Sequence, residues 1–273
     1  MKTEDEEKET SVQHMITLLT DFGWQDGYVG VMKGVIWGIN PNVQIVDLSH
    51  DIAPQDIDAA AFVLKISYPY FPKDTVHVVV VDPGVGSERQ ILGVKTEAGY
   101  FLAPDNGVLK YIFDELPRCQ VISINQRRFF LSEVSQTFHG RDIFAPVAAH
   151  LSKGENFYNL GSPTKAFFKG TVWHPTRNKS SIEGRIIYVD RFGNLISNIS
   201  KRLFDDLTKR RTFVIQVGKW QLEQIIGSFV QGGKERFLAY FDSSGFLGFS
   251  FYGANAQQKT GLKVGEPVRV TVN

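Results

Sequence analysis

Residues 76–81 read VHVVVV and run straight into Asp82-Pro83-Gly84-Val85-Gly86-Ser87-Glu88-Arg89. A continuous β-branched run of this kind suits a strand buried on both faces, as in a parallel sheet covered by helices. Upstream, MITLLT at 15–20 predicts a strand, 27–38 a helix that ends before Asn40-Pro41, 43–48 a second strand, and 56–67 a helix entered after Pro54. Downstream, 90–96 and 100–102 form a hairpin turning at Ala98-Gly99, followed by a helix at 107–116, a strand at 120–124 and a helix at 142–151. Strand–helix alternation of this type implies an α/β layer architecture with a largely parallel sheet.

The texture changes after about residue 152. Residues 161–180 are rich in Gly, Pro, Thr and Lys and read as a linker. Short strand-like segments follow at 182–189, 212–217, 237–241, 246–251 and 267–272. Their spacing predicts a compact antiparallel sandwich or barrel. The expected organisation is therefore an acidic tail at 1–14, an α/β domain at 15–160, the linker, and a smaller antiparallel C-terminal β-barrel domain at 181–273. The tail holds five acids and two lysines without an apolar core, unlike a signal peptide.

Composition excludes several classes. The 273 residues carry 30 Lys+Arg against 29 Asp+Glu, a balance that argues against a generic nucleic-acid binder. A basic cluster (Lys201, Arg202, Lys209, Arg210, Arg211) is interrupted by acids and reads as a solvated face. Hydrophobic residues at 42% and charged residues at 22% exclude a mostly disordered chain. One cysteine, Cys119, permits neither an intrachain disulfide nor a Cys-based zinc site and fits a reducing cytoplasm. No apolar stretch approaches the roughly 20 residues that span a bilayer.

Open α/β sheets bind ligands at the carboxyl ends of their strands. Here those ends deliver Asp21-Phe22-Gly23 and Asp26, then Asp47-Leu48-Ser49-His50-Asp51, then Asp82 to Arg89. Asp105-Asn106-Gly107 and His139-Gly140-Arg141-Asp142 each precede a helix. The glycines at 84 and 86 lack the third glycine of a dinucleotide loop and read as a tight turn. His50, His139, Asp21, Asp47, Asp51 and Asp82 offer metal-ligand atoms, yet without a diagnostic short spacing. His77, His150 and His174 read as surface or packing histidines. Asp82, Arg89 and His139 could surround and deprotonate a water; from spacing alone the better reading is an ordinary Asp–Arg ion pair with an unrelated histidine.

Six stretches occur in order: TDFG…D…GVMKG (20–34), VDPGVGSER (81–89), APDNG (103–107), FHGRDIFAP (138–146), DRFGNLISNI (190–199) and SSGFL (243–247). Together they resemble the S-adenosyl-L-methionine (SAM) hydroxide adenosyltransferases, relatives of fluorinase and chlorinase, over essentially the whole chain from Met15. The resemblance implies attack of water or hydroxide on C5′ of SAM, releasing adenosine and methionine with no cofactor or metal. It also implies an α/β domain before a β-barrel domain, and homotrimers whose sites lie between one subunit's N-domain and its neighbour's C-domain. The family's water-activating Asp, Arg and His fall on Asp82, Arg89 and His139, which favours the trio over the bare ion pair. By the same resemblance Asp21 takes both ribose hydroxyls, Asp26 and Asp190 the methionine ammonium, and Ser243 its carboxylate. Asn194 reads the adenine edge, Phe192 and Phe229 pack on the base, and the Asn255-Ala256 backbone lies nearby. Asp190 to Asn194 also reads as a type I turn through Gly193. Asn106 stands near the ligand or caps the helix after it.

The chain also departs from its halogenating relatives. Asp82-Pro83-Gly84-Val85 replaces their Tyr-Pro-x-Thr, Gly140 replaces a serine, and Gln55 replaces a tryptophan over the ribose. The halide pocket is missing, which leaves hydrolysis as the expected reaction. After SSGFL, Gly248-Phe249-Ser250 stands where the family usually has Glu-Ile-Ala. The competing expectations are a SAM- or nucleoside-binding sensor without turnover and a metal-dependent hydrolase.

Overall fold

A computed structural model describes residues 15–209, 211–233 and 236–272, leaving aside the side chains at 229 and 232. The acidic tail at 1–14 and Arg210 of the basic cluster lie outside the described residues. The chain divides into two compact units, Met1–Val172 and Trp173–Asn273.

The first unit opens with β1 (Ile16–Thr20), α1 (Tyr28–Ile39), β2 (Ile45–Ser49), α2 (Ile57–Ser67) and β3 (Thr75–Val80). There follow β4 (Ile91–Lys95), β5 (Gly99–Pro104), α3 (Lys110–Glu115), β6 (Gln120–Ile124), α4 (Ala145–Ser152) and β7 (Gly161–Pro163). All six residues of β3 are buried, as its unbroken β-branched run predicts. Each valine taken fully from water there contributes about 1.5–3 kcal/mol. Helix α1 turns Val29, Met32 and Ile36 inward, a spacing of three and four that matches one helical face. Asp56 caps α2 by accepting the Ala59 N–H at 2.9 Å, a bond worth about 1 kcal/mol.

The sheet order is β2-β1-β3-β5-β4-β6-β7. Its first three pairings are parallel and its last three antiparallel. The hairpin expected around Ala98-Gly99 reverses the chain and sets the antiparallel half. Two expected helices are shorter or altered: α3 starts only at Lys110, and α4 is preceded by a π-helical turn at Gly140–Phe144.

The second unit contains β8 (Thr176–Arg177), β9 (Ser181–Val189), β10 (Leu195–Ser200), α5 (Lys201–Thr208) and β11 (Phe213–Val217). It continues with β12 (Trp220–Leu222), β13 (Ile225–Ile226), β14 (Phe237–Phe241), β15 (Phe246–Phe251), α6 (Ala256–Thr260) and β16 (Pro267–Val272). Its nine strands run β12-β11-β16-β9-β10-β15-β14-β13 with β8 on β9. The sheet is antiparallel except at β13–β14 and curls as a half-barrel. Ile182, Leu195, Ile215, Phe249 and Val270 fill its core. Strand β10 and helix α5 were not expected. Ser200 caps α5 by accepting the Leu203 N–H at 3.2 Å, and Phe204 and Leu207 bury its inner face. Lys201 and Arg202 of the basic cluster lie exposed on it, with Lys201 reaching Asp205 one turn on at 2.5 Å.

Candidate active site

Strands β1 and β3 are parallel neighbours, with Thr20 opposite Val80. From β1 the chain moves outward to β2, then returns to the other side of β1 as β3. The winding therefore reverses between β1 and β3, the crevice where open α/β sheets take ligands. Asp21 follows β1 and Asp82 follows β3, the two strands that flank it.

The loop after β3 doubles back on itself. Val85 N–H donates to the Asp82 carbonyl at 3.2 Å and Ser87 N–H to that of Gly84 at 3.1 Å. Gly86 makes this possible with φ +80, and a Cβ there would strike the Gln136 carbonyl. Arg89 is thereby returned to Asp82. Its Nε donates to Oδ1 at 2.8 Å, and its Nη2 pairs with Oδ2. Both side chains are nearly sealed from solvent, at 8% and 4% exposed.

Arg89 Nη2 also donates to His139 Nδ1 at 3.0 Å. A guanidinium only donates, so Nδ1 must be the unprotonated nitrogen of the ring. Burial, with the Arg89 charge behind it, holds the His139 pKa below the usual histidine range, against the pull of Asp82 and Asp142. The imidazole is accordingly neutral at neutral pH, with its proton on Nε2. Arg89 Nη1 is buried and meets no acceptor among the described residues.

Asp21 lies beside this trio. Its Oδ2 accepts the Gln55 N–H at 2.7 Å, and Gln55 holds a left-handed φ of +67 to deliver it. Phe22, next to Asp21, meets Phe138, next to His139, edge-on at 5.8 Å between centroids. Tyr28 packs on Phe138 at 5.1 Å. The loops bearing Asp21 and His139 are thus joined by an aromatic contact. Buried Asp142 accepts from Arg141 Nε at 2.5 Å and from Ser135 N–H at 2.8 Å, bracing the segment before His139. Its burial raises the carboxyl pKa, but these bonds outweigh it and hold it low.

Asn106 donates through Nδ2 to the Val81 carbonyl at 2.9 Å and accepts the Val108 N–H at 3.1 Å. It therefore ties the end of β5 to the residue before Asp82, and its amide is engaged in the scaffold. Asp26 is exposed in the bend before α1.

In the second unit, Asp190 Oδ1 accepts from the N–H groups of Phe192 at 2.9 Å and Asn194 at 2.8 Å. Its Oδ2 accepts from Asn194 Nδ2 at 2.7 Å. The turn expected through Gly193 is present, and it fixes the Asn194 amide with Oδ1 as the remaining acceptor. Gly193 has φ +81 and lies against the Asn255 side chain, where a Cβ would collide. Asn255 caps α6 by accepting the Gln258 N–H at 2.8 Å. Phe192, Asn194 and Asn255 line a pocket of about 520 Å³ together with Ser250, Tyr252 and Ala254. Phe192 stands 76% exposed at its edge. Ala256 is buried in the core and does not line this pocket. Ser243 is exposed in the turn after β14. The side chain of Phe229 lies outside the described residues.

Sequence reasoning did not single out Ser250 and Tyr252, nor the network around His50. His50 and Asp47 were weighed as metal ligands; they bond to each other at 2.9 Å, with Lys33 on the second Asp47 oxygen at 2.6 Å. No group of three or more His, Cys, Asp or Glu is placed to hold a metal ion among the described residues. No helix among them is long and apolar enough to cross a membrane.

The chain is 38% identical over 256 residues to the (R)-S-adenosyl-L-methionine hydrolase of Methanocaldococcus jannaschii, covering 89% of this chain and 90% of that one. It is 32% identical to the enzyme of the same name from Thermus thermophilus, over 93% and 98% of the two chains. The crystal structure of an uncharacterized conserved protein from Thermotoga maritima superposes with a TM-score of 0.87 at 36% identity, covering 94% of this chain and all of that one. Residues 16–161 match the SAM hydroxide adenosyltransferase N-terminal domain and 184–269 its C-terminal domain. With both domains matched in order and relatives aligned over nearly their full length, the chain belongs to the SAM hydroxide adenosyltransferase family.

Proposed function

We infer that this protein hydrolyses S-adenosyl-L-methionine, with the R configuration at sulfur that its relatives' names specify, to adenosine and L-methionine. The observation that carries the reading is the hydrogen-bonded Asp82–Arg89–His139 group in the β1/β3 crevice, next to Asp21.

In the reaction a water oxygen forms a bond to C5′ while the C5′–S bond breaks. The bonding pair returns to the sulfonium, which becomes the neutral thioether of methionine. The leaving group needs no acid, so the protein's task is to hold and deprotonate the nucleophile. Arg89 Nη1, buried and without a protein acceptor, suits donation to that oxygen and favours its hydroxide form. His139 Nδ1 is already occupied by Arg89, which leaves Asp82 as the proton acceptor of the trio. An attacking water grows strongly acidic as the new C–O bond forms, so an ion-paired carboxylate is basic enough.

Asp21 takes the two ribose hydroxyls, and Asn194 Oδ1 accepts from the exocyclic amine of adenine in the pocket edged by Phe192. Asp26 and Asp190 serve the methionine ammonium and Ser243 its carboxylate. The family resemblance supports a homotrimer with sites shared between neighbouring subunits, and the single cysteine supports a cytoplasmic location.

The test is chromatography of purified protein incubated with SAM in ¹⁸O-water, with and without EDTA, alongside Asp82→Ala. The expected result is equal adenosine and methionine, ¹⁸O at the adenosine 5′ position, no effect of EDTA, and no products from the variant. SAM bound but recovered intact would overturn the reading in favour of a sensor.

A further inference from the structure

A second polar network lies outside the trio, at the ends of β1 and β2. His50 is 1% exposed and Thr20 fully buried. Asp47 Oδ1 bonds His50 Nε2 at 2.9 Å and its Oδ2 accepts from Lys33 Nζ at 2.6 Å. Burial raises the Asp47 carboxyl pKa, but the bonds from His50 and Lys33 outweigh it and hold it low. A carboxylate only accepts, so His50 carries its proton on Nε2. Its Nδ1 pairs with the Thr20 hydroxyl at 2.8 Å. The Thr20 oxygen in turn accepts the Phe22 N–H at 3.2 Å. The His50 carbonyl accepts the Gly23 N–H at 2.8 Å. Together these bonds pin residues 20, 22 and 23.

The residue enclosed by those three is Asp21. Its own Oδ2 is steered by the Gln55 N–H. Among the described residues, none of these bonds reaches Asp82, Arg89 or His139.

We propose that His50 is a positioning residue: through Thr20 on one side and Asp47 on the other, it sets the Asp21 carboxylate for two-point recognition of a ribose diol. This rests on the reading of Asp21 given above. A carboxylate that grips two vicinal hydroxyls at once depends steeply on orientation, whereas one that meets a single hydroxyl can rotate to suit. The network should therefore govern discrimination between adenosine and 2′-deoxyadenosine more than affinity in general.

The experiment is calorimetric binding of adenosine and 2′-deoxyadenosine to the full chain, as wild type, His50→Gln, Asp21→Ala and the double variant, with melting temperatures as a fold check. Gln keeps a donor for Asp47 and loses the ring nitrogen that meets Thr20. Wild type is expected to prefer adenosine, and His50→Gln to lose about tenfold of that preference, or ~1.4 kcal/mol. Asp21→Ala removes the preference, and adding His50→Gln to it changes nothing further. Full preference in a folded His50→Gln would overturn the proposal, as would an equal further loss in the Asp21→Ala background. If His50→Gln does not fold, Thr20→Val and Thr20→Ser decide: loss in Val with retention in Ser supports the relay, and retention in both overturns it. Wild type binding no adenosine at all would instead refute the hydrolase reading.

Discussion

His77 makes stability depend on pH in a way that can be calculated. It sits in β3 with no exposed surface. Its Nδ1 meets the Thr17 hydroxyl at 2.8 Å, Nε2 has no partner among the described residues, and its ring stacks on Phe101 at 4.9 Å. Tyr68 and Phe71 close the edges. An imidazolium in this place would have a second N–H facing carbon, and burial lowers the pKa from 6.5 to about 4. The folded pKa is the depressed one, so the unfolded chain takes up the proton first. Stability from this group is complete above pH 6.5 and is lost as pH falls from there towards 4. The loss is about 2 kcal/mol at pH 5 and ~3 kcal/mol once pH is below both values. Urea unfolding of wild type and His77→Gln at a series of pH values from 7.5 to about 4 isolates it, because other titrations cancel in the difference. Gln retains a partner for Thr17 and cannot titrate, so the wild type should lose about 2 kcal/mol more than the variant between pH 7.5 and 5. Parallel curves would refute the reasoning.

Arg89→Lys should lower kcat by about 10²–10³-fold without loss of fold, since one ammonium cannot bond both Asp82 oxygens and His139 together; steady-state kinetics beside a melting curve checks this. Gly193→Ala places a Cβ against Asn255 at a left-handed φ. It should weaken adenosine binding by about tenfold or more, measured by calorimetry, with ~1–3 kcal/mol lost from the second unit. Asp56→Ala, which removes the cap of α2, should cost about 1 kcal/mol in urea unfolding.

Much of this was legible in the sequence because the signals were local. The VHVVVV run had to be buried on both faces, and β14, β15 and β16 fall on the residues their alternation marked. Strand β10 was hidden inside a stretch read for its polar motif, DRFGNLISNI, and α5 behind the Lys201-Arg202 start that makes its first turn look like a loop. The mixed sheet followed from the hairpin, whose reversal places β4 between β5 and β6, a long-range pairing that periodicity does not encode. At the site, the motifs that carry the family resemblance marked Asp21, Asp82, Arg89 and His139, whereas spacing alone left Asp82 and Arg89 as an ordinary ion pair with an unrelated histidine. Arg89 returns to Asp82 only because the intervening loop reverses through Gly86. Asn106 and Asp190 were each open to two readings, and both accept backbone N–H groups from the residues just after them. His50 and Asp47 carried no local sign of Thr20, which lies on another strand.

The π-helical turn at Gly140–Phe144 has a genetic consequence. It closes with the Ala145 N–H on the Gly140 carbonyl, five residues back, one residue more than an α-helix uses. Removing a single codon from this turn would let it relax into the ordinary register. Everything on its N-terminal side would then swing by about 100° around the axis, while the helix beyond kept its place in the core. His139 stands at that N-terminal edge, so one small deletion could silence the chemistry in a lineage and leave behind a folded descendant that still binds what its ancestor cleaved.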